Sequence, residues 1–213
     1  MELTHDASTL KAAIQRNFDE LNNAILKLTA HNELARQKLI YVRMSFFVIV
    51  GQSLYNDMLA HTMRVLDEHK QSLSFLYVLR CKEAAVKKAA LAAGLDLNEL
   101  THLSTKLKSV RDQTHFHIDR KSVKNPKSIW KEASITGATF VMALQTMAVT
   151  LAHTKKEIFG GELETVTDYD GSDIAKIVKA YESVHSSVHG AHPSIKRTAK
   201  SKTTPAPQAR AFE

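Results

Sequence analysis

The chain has 213 residues, 44% of them hydrophobic and 24% charged, which excludes a disordered protein and fits one globular domain with a buried core. Cys81 is the only cysteine, so an internal disulfide framework and a cysteine-rich metal site are excluded. The formal net charge is +7. The distribution of the charged residues along the chain indicates more about possible binding partners than the net charge does.

The first half of the sequence predicts a run of helices. The first proline is Pro126, and apolar residues before it recur at steps of three and four. We expect an amphipathic helix over residues 6 to about 30 and a second long helical run over roughly 31 to 68. A third helix is predicted to begin at a Ser72 cap and to end at Gly94, a residue suited to the left-handed cap position.

The second half of the sequence predicts shorter helices, one of which carries a regular stripe of apolar residues. Asp96 can cap a fourth helix while Glu99 reaches back to it. Four apolar residues then follow at steps of three, four and three and predict a buried packing seam: Leu100, Leu103, Leu107 and Val110. Another helix is expected to start near Asn125 and Pro126, a buried one to run from about 137 to 159, and a short amphipathic one from about 172 to 184.

Neither targeting nor membrane insertion is predicted. The N-terminus lacks the cationic start and apolar stretch of a secretory signal, and together with the lone cysteine this favours a cytoplasmic location. Residues 46–60 and 138–152 are the most apolar stretches, but they are short and contain polar residues, so they are interpreted as buried core helices.

The positive charge is concentrated in two segments. Residues 186–213 contain five Lys or Arg and one Glu, and residues 106–131 contain eight Lys or Arg and two Asp, so the rest of the chain is acidic overall. The last segment is also too poor in apolar residues to order its backbone. We therefore predict a single helical domain over 1–185 and a flexible basic tail over 186–213, with a polyanion as partner.

The sequence SVRDQTHFHIDRKSV, residues 109–123, combines the side chains that phosphodiester chemistry needs in the absence of a metal. A histidine can move a proton near neutral pH, and an arginine can stabilise charge on the phosphate oxygens. Arg111, His115 and His117 are the candidates here. On a regular helix Arg111 and His115 share a face, whereas His117 lies about 120° away from Arg111.

The order Arg111, Asp112, His117, Asp119 resembles the signature of HEPN domains, in particular the abortive-infection (Abi-U type) branch. The resemblance extends over residues 34–151. It implies an all-α, up-and-down helical bundle with extra flanking helices, which forms a homodimer. Because the site is then shared by two chains, we expect the seam over Leu100, Leu103, Leu107 and Val110 to be buried partly between the subunits. Arg111 and His117 of both subunits would then meet in a cleft on the two-fold axis. Because each chain contributes a copy of both residues, the angle of about 120° between them on one helix does not prevent them from acting together.

In active members, the resemblance implies endoribonuclease activity without a metal or a cofactor. The 2′-hydroxyl attacks its own phosphodiester, His117 carries the proton, and Arg111 stabilises the transition state. Such proteins act as toxins or phage-defence effectors in abortive infection, often with a nucleotidyltransferase-type antitoxin.

The remaining residues of the segment are assigned supporting roles. Asp112, His115 and Asp119 can orient an imidazole or pair with the arginine. The basic residues around the motif are predicted to bind RNA: Lys106, Lys108, Arg120, Lys121 and Lys124.

Two other functions stay open. Phe116 stands where many relatives carry a small residue, and His115 adds an imidazole that the signature does not require. The chain can therefore also be a non-catalytic HEPN module that binds a nucleotide or a partner protein. Alternatively, it is a basic helical nucleic-acid binder whose tail supplies most of the affinity.

Overall fold

The computed structural model describes residues 6–37, 45–113 and 126–189, and every regular element in these ranges is a helix. The helices in chain order are α1 (Ala7–Arg36), α2 (Ser45–Val65), α3 (Phe75–Cys81), α4 (Glu83–Ala93), α5 (Leu97–Arg111), α6 (Pro126–Ala133), α7 (Gly137–Phe159) and α8 (Ser172–His189). The predicted all-helical fold class is thus confirmed for the described residues.

Helix α1 is the centre of the bundle because its apolar stripe is buried along most of its length. Asp6 caps its first turn by accepting a hydrogen bond from the Ser8 backbone N–H. The helix packs against α2, α3, α7 and α8, and α7 in turn packs against α4. One continuous hydrophobic core results, with α1, α2 and α7 contributing most of its large side chains.

Helix α5 lies towards the edge of this arrangement, in contact with α2 and α6. Asp96 caps its N-terminus as predicted, since the Asp96 side chain accepts hydrogen bonds from the backbone N–H groups of Asn98 and Glu99. The return hydrogen bond expected from the Glu99 side chain is not formed. On the predicted seam, Leu100, Leu107 and Val110 are buried and Leu103 is half-buried. The chain itself therefore covers most of this seam.

Several predicted limits differ from the structure. Helix α1 continues to Arg36, beyond the expected end near residue 30, because Glu33 and Leu34 are buried and the His31 ring contacts the Gly51 carbonyl. The single helix expected over 72–94 is two helices, separated at Lys82, where the backbone leaves the helical region (φ −139°, ψ 52°). Its N-cap is Ser74, not Ser72.

Other limits agree with the sequence. Gly94 ends α4 in the left-handed conformation (φ 73°), and α7 spans Gly137–Phe159 as expected. Helix α8 continues to His189, past the predicted start of the tail at residue 186; residues 190–213 lie outside the described residues. The flexible tail stays a prediction.

The two most apolar stretches form parts of α2 and α7, so the prediction that they are helical is confirmed. The prediction that they are buried holds only in part, because Phe46 and Ile49 of α2 and Met142 of α7 are exposed. No helix in the described part of the chain has the length and apolar character required to cross a membrane.

Candidate functional site

The predicted catalytic arginine is the last residue of α5. The Nε and Nη2 groups of Arg111 donate hydrogen bonds to Oδ1 of Asp112, at 2.9 and 2.7 Å. Both side chains are partly exposed. A cation at this end of a helix is favoured by the partial negative charge of the last carbonyl groups, so both the helix and Asp112 hold the guanidinium in place.

The backbone changes its winding at this point. The α-helix ends at Arg111, and Asp112 and Gln113 continue as a wider π-helical turn. The Asp112 N–H contacts the carbonyl groups of both Lys108 and Ser109. Such turns are rare in proteins and are found frequently at functional sites.

Most of the other predicted site residues cannot be placed. His115, His117, Asp119, Arg120, Lys121 and Lys124 lie outside the described residues. Their roles, and the pairing of Arg111 with either histidine, stay predictions.

Lys106 and Lys108 are both exposed on α5 but do not form one patch. Lys106 and Lys108 are two positions apart in the sequence, which corresponds to a rotation of about 200° around a helix. The two ammonium groups therefore leave opposite sides of α5. Lys106 lines a cleft of about 620 Å³ between α5 and α7, together with the acidic residues Asp96 and Glu99. This cleft therefore carries both signs of charge, and a basic surface suited to RNA must include other residues.

A second polar cluster, which the sequence analysis did not predict, lies between α1 and α2. Glu20 of α1 is buried, and its Oε2 atom accepts hydrogen bonds from His61 Nδ1 (2.5 Å) and Arg64 Nη1 (3.0 Å) of α2. The other carboxylate oxygen pairs with Arg16, at 2.6 Å. On the far side of the imidazole, Lys27 Nζ lies 2.6 Å from His61 Nε2 and 2.7 Å from Asp57 Oδ2. We call these six residues the His61 cluster.

The electrostatics of the His61 cluster favour two ionised carboxylates. Burial alone raises the pKa of Glu20, but the hydrogen bonds from His61 and Arg64 and the nearby positive charges outweigh burial, so that this pKa lies below its usual value. The hydrogen bond from Lys27 lowers the pKa of Asp57 as well. Three of these ion pairs join α1 to α2: Lys27 with Asp57, and Glu20 with His61 and with Arg64.

One signal in the sequence could have identified this cluster. Asp57, His61 and Arg64 are spaced i, i+4, i+7, and Arg16 and Glu20 are spaced i, i+4, so each helix carries a charged stripe beside its apolar stripe. Finding the partners also required the register of α1 against α2, which neither stripe specifies alone.

A cluster of four aromatic rings packs in the core between four helices. The rings of His31, Tyr55, Trp130 and Phe140 form a chain of contacts with centroid separations of 5.6, 5.9 and 6.5 Å, next to a cavity of about 50 Å³. Burial lowers the pKa of His31 and raises that of Tyr55. The cluster joins α1, α2, α6 and α7 and has a packing role.

Across the described ranges, no three His, Cys, Asp or Glu side chains lie in an arrangement that could hold a metal ion. Comparisons with known protein families, with curated proteins and with solved structures found no match.

Proposed function

We propose that the chain is a metal-independent endoribonuclease of the HEPN type. The observation that carries the proposal is the placement of Arg111, at the junction between the α-helix and the π turn, with its guanidinium oriented by Asp112. The sequence places a histidine pair and a second aspartate directly after this junction, and eight cations within residues 106–131.

The proposed reaction is an internal transesterification of RNA. The 2′-oxygen attacks the adjacent phosphorus, the bond from phosphorus to the 5′-oxygen breaks, and the products end in a 2′,3′-cyclic phosphate and a 5′-hydroxyl. His117 takes the proton of the 2′-hydroxyl and delivers a proton to the leaving 5′-oxygen, while Arg111 stabilises the negative charge on the phosphate oxygens. Asp112 holds Arg111, and His115 and Asp119 support the imidazole.

The same proposal includes the assembly and the cellular role. The active form is a homodimer of HEPN-like bundles, with a copy of Arg111 and His117 from each subunit in one cleft. Arg120, Lys121 and Lys124 contact the RNA backbone after the junction, and Lys106 and Lys108 contact it from the two sides of α5. The protein acts as a toxin or phage-defence effector, and a nucleotidyltransferase-type protein serves as its antitoxin.

The test is cleavage of a labelled RNA by purified protein in the presence of EDTA. We expect Arg111→Ala and His117→Ala each to reduce the cleavage rate by about 10²–10⁴-fold without a change in melting temperature, and His115→Ala to reduce it less. The products should carry 2′,3′-cyclic phosphate ends. Arg80→Ala and His153→Ala, which remove exposed residues of the same types, are the matched controls and should retain full activity.

Three outcomes contradict the proposal. Cleavage that requires Mg²⁺ excludes the mechanism. A wild-type protein that binds RNA without cleaving it supports the nucleic-acid binder instead. A protein without nuclease activity in which His117→Ala lowers the melting temperature by several degrees identifies His117 as a buried structural residue.

A further inference from the structure

His61 lies between two positively charged side chains and a buried carboxylate, an environment that the proposed ribonuclease site does not use. The His61 side chain is 12% exposed, and its two ring nitrogens contact different partners on α1. Nδ1 contacts Glu20, and Nε2 contacts Lys27. Asp57, one turn before His61 on α2, lies 3.7 Å from Nε2 and already binds Lys27.

These contacts determine the proton position on the imidazole. The ammonium group of Lys27 can only donate a hydrogen bond, so its 2.6 Å contact requires Nε2 to be an unprotonated acceptor. A neutral imidazole then carries its proton on Nδ1, from which it donates to the ionised carboxylate of Glu20. Asp57 Oδ2 lies 2.7 Å from the same Lys27 Nζ. The arrangement therefore fits a neutral His61 with an Nδ1–H.

We propose that His61 is a protonation switch in the contact between α1 and α2. A second proton, on Nε2, would face the Lys27 ammonium at the present distance, so Lys27 must move away. Asp57 then accepts the hydrogen bond from Nε2–H. Protonation thus exchanges a hydrogen bond between the helices, from Lys27 to His61, for one within α2, from His61 to Asp57. The contact between Nδ1–H and Glu20 stays and becomes a charged pair, so the link between α1 and α2 passes from Lys27 to Glu20.

Every charged group that faces His61 in the described residues takes part in this balance. Glu20 and Asp57 favour the protonated imidazole, and Lys27 and Arg64 oppose it; Arg64 Nη1 lies 3.3 Å from Nδ1. Arg16 acts through Glu20, with which it forms an ion pair. The proposal concerns the helix contact alone and does not depend on the ribonuclease assignment.

The first experiment is a long-range proton–nitrogen NMR correlation on protein with ¹⁵N-labelled histidine, recorded as a function of pH. The His61 signal is identified by its loss in His61→Asn and, independently, in His61→Gln. We expect the neutral form to carry its proton on Nδ1, whereas a neutral histidine in water carries it mainly on Nε2. An Nε2–H tautomer overturns the proposal, because Lys27 could not then donate to that atom.

The second experiment compares the titration midpoint of His61 in the wild type with that in two variants. Each variant changes one exposed or partly exposed residue that contacts the imidazole. Lys27→Met removes the opposing ammonium and should raise the midpoint by about one pH unit, and Asp57→Asn removes the acceptor and should lower it by a similar amount. Lys11→Met and Asp168→Asn make the same charge changes at exposed positions and are the controls. Shifts in the two variants no larger than in the controls overturn the switch.

Discussion

Asn17 is a buried polar side chain within the apolar stripe of α1. Its Nδ2 group donates hydrogen bonds to the carbonyl oxygens of Ala13 (2.7 Å) and Leu73 (2.6 Å). Leu73 lies in the connection between α2 and α3, so this one amide ties a loop to the central helix. A buried carbonyl that loses its donor costs free energy, because no water replaces the lost partner.

We therefore expect Asn17→Ala to lower the free energy of unfolding by about 1–3 kcal/mol. Urea denaturation measures this difference. Asn23→Ala is the matched control. Asn23 is exposed on the same helix, and its Nδ2 donates to the Asp19 carbonyl one turn earlier, so the substitution should change stability by less than about 0.5 kcal/mol. Equal effects of the two substitutions would contradict the role assigned to the Leu73 contact.

Glu20 makes the stability of the helix bundle dependent on pH. The hydrogen bonds from His61 and Arg64 hold its pKa in the folded protein below the usual value of a glutamate, so the unfolded chain binds its proton at higher pH than the folded chain. The stabilisation is complete above the unfolded value and is lost as the pH falls through the folded value.

We expect Glu20→Gln to be less stable than the wild type at pH 7 and to lose less stability between about pH 5 and pH 3. Unfolding in urea at a series of pH values gives the two curves. Glu182→Gln, at an exposed residue of α8, is the control and should follow the wild type. Parallel curves for Glu20→Gln and wild type would show that the Glu20 contacts contribute nothing to acid unfolding.

Alanine substitutions at Gly94 and Gly137, which lie at the ends of two helices, can distinguish the effect of backbone strain from the effect of packing. A Cβ atom at either residue would meet no heavy atom within 4 Å. Gly94 has φ of +73° after the end of α4, whereas Gly137 is the first residue of α7 and has no positive φ. A difference between alanine substitutions at the two residues therefore reports the backbone conformation alone.

We expect Gly94→Ala to destabilise the protein by about 1 kcal/mol and Gly137→Ala to be neutral or slightly stabilising. Thermal unfolding monitored by circular dichroism is sufficient to rank the three proteins. Equal melting temperatures for the two variants would mean that the Gly94 cap does not require its left-handed conformation.

These helix limits show what the sequence could predict. Gly94, Asp96 and Gly160 mark ends through local backbone chemistry, so the C-terminus of α4, the N-terminus of α5 and the C-terminus of α7 follow from single residues. The break at Lys82 was not predicted because the residues around it are good helix formers with no glycine or proline. Its cause lies in the packing of α3 and α4 against different helices, α1 and α7.

The contacts in the candidate sites also differ in whether local sequence could predict them. Arg111 and Asp112 are adjacent in the chain, so their pairing follows from local sequence. Glu20 and His61 are 41 residues apart, and their contact depends on the register of two packed helices. Periodicity identifies the face of each helix that is buried, but it does not specify which residue of one helix lies opposite which residue of the other.

For the whole molecule, the burial of the α5 seam limits how two copies can associate. Leu100, Leu107 and Val110 are covered within one chain, so the predicted dimer contact cannot consist of these three side chains alone. Large apolar residues remain exposed elsewhere on the described surface, among them Phe46 and Ile49 on α2 and Met142 on α7. Met142 lines the cleft beside α5.

We expect light scattering at micromolar concentration to give twice the chain mass of 23.8 kDa, because the proposed site is complete only with two copies of Arg111 and His117. Met142→Glu places a charge beside α5 without disturbing the buried seam, and Leu91→Glu makes the same change at a side chain that is 84% exposed on α4. If the dimer forms along the cleft, Met142→Glu should yield monomer and lose RNA cleavage together, while Leu91→Glu stays dimeric and active. A wild-type monomer with full cleavage activity would rule out a shared active site.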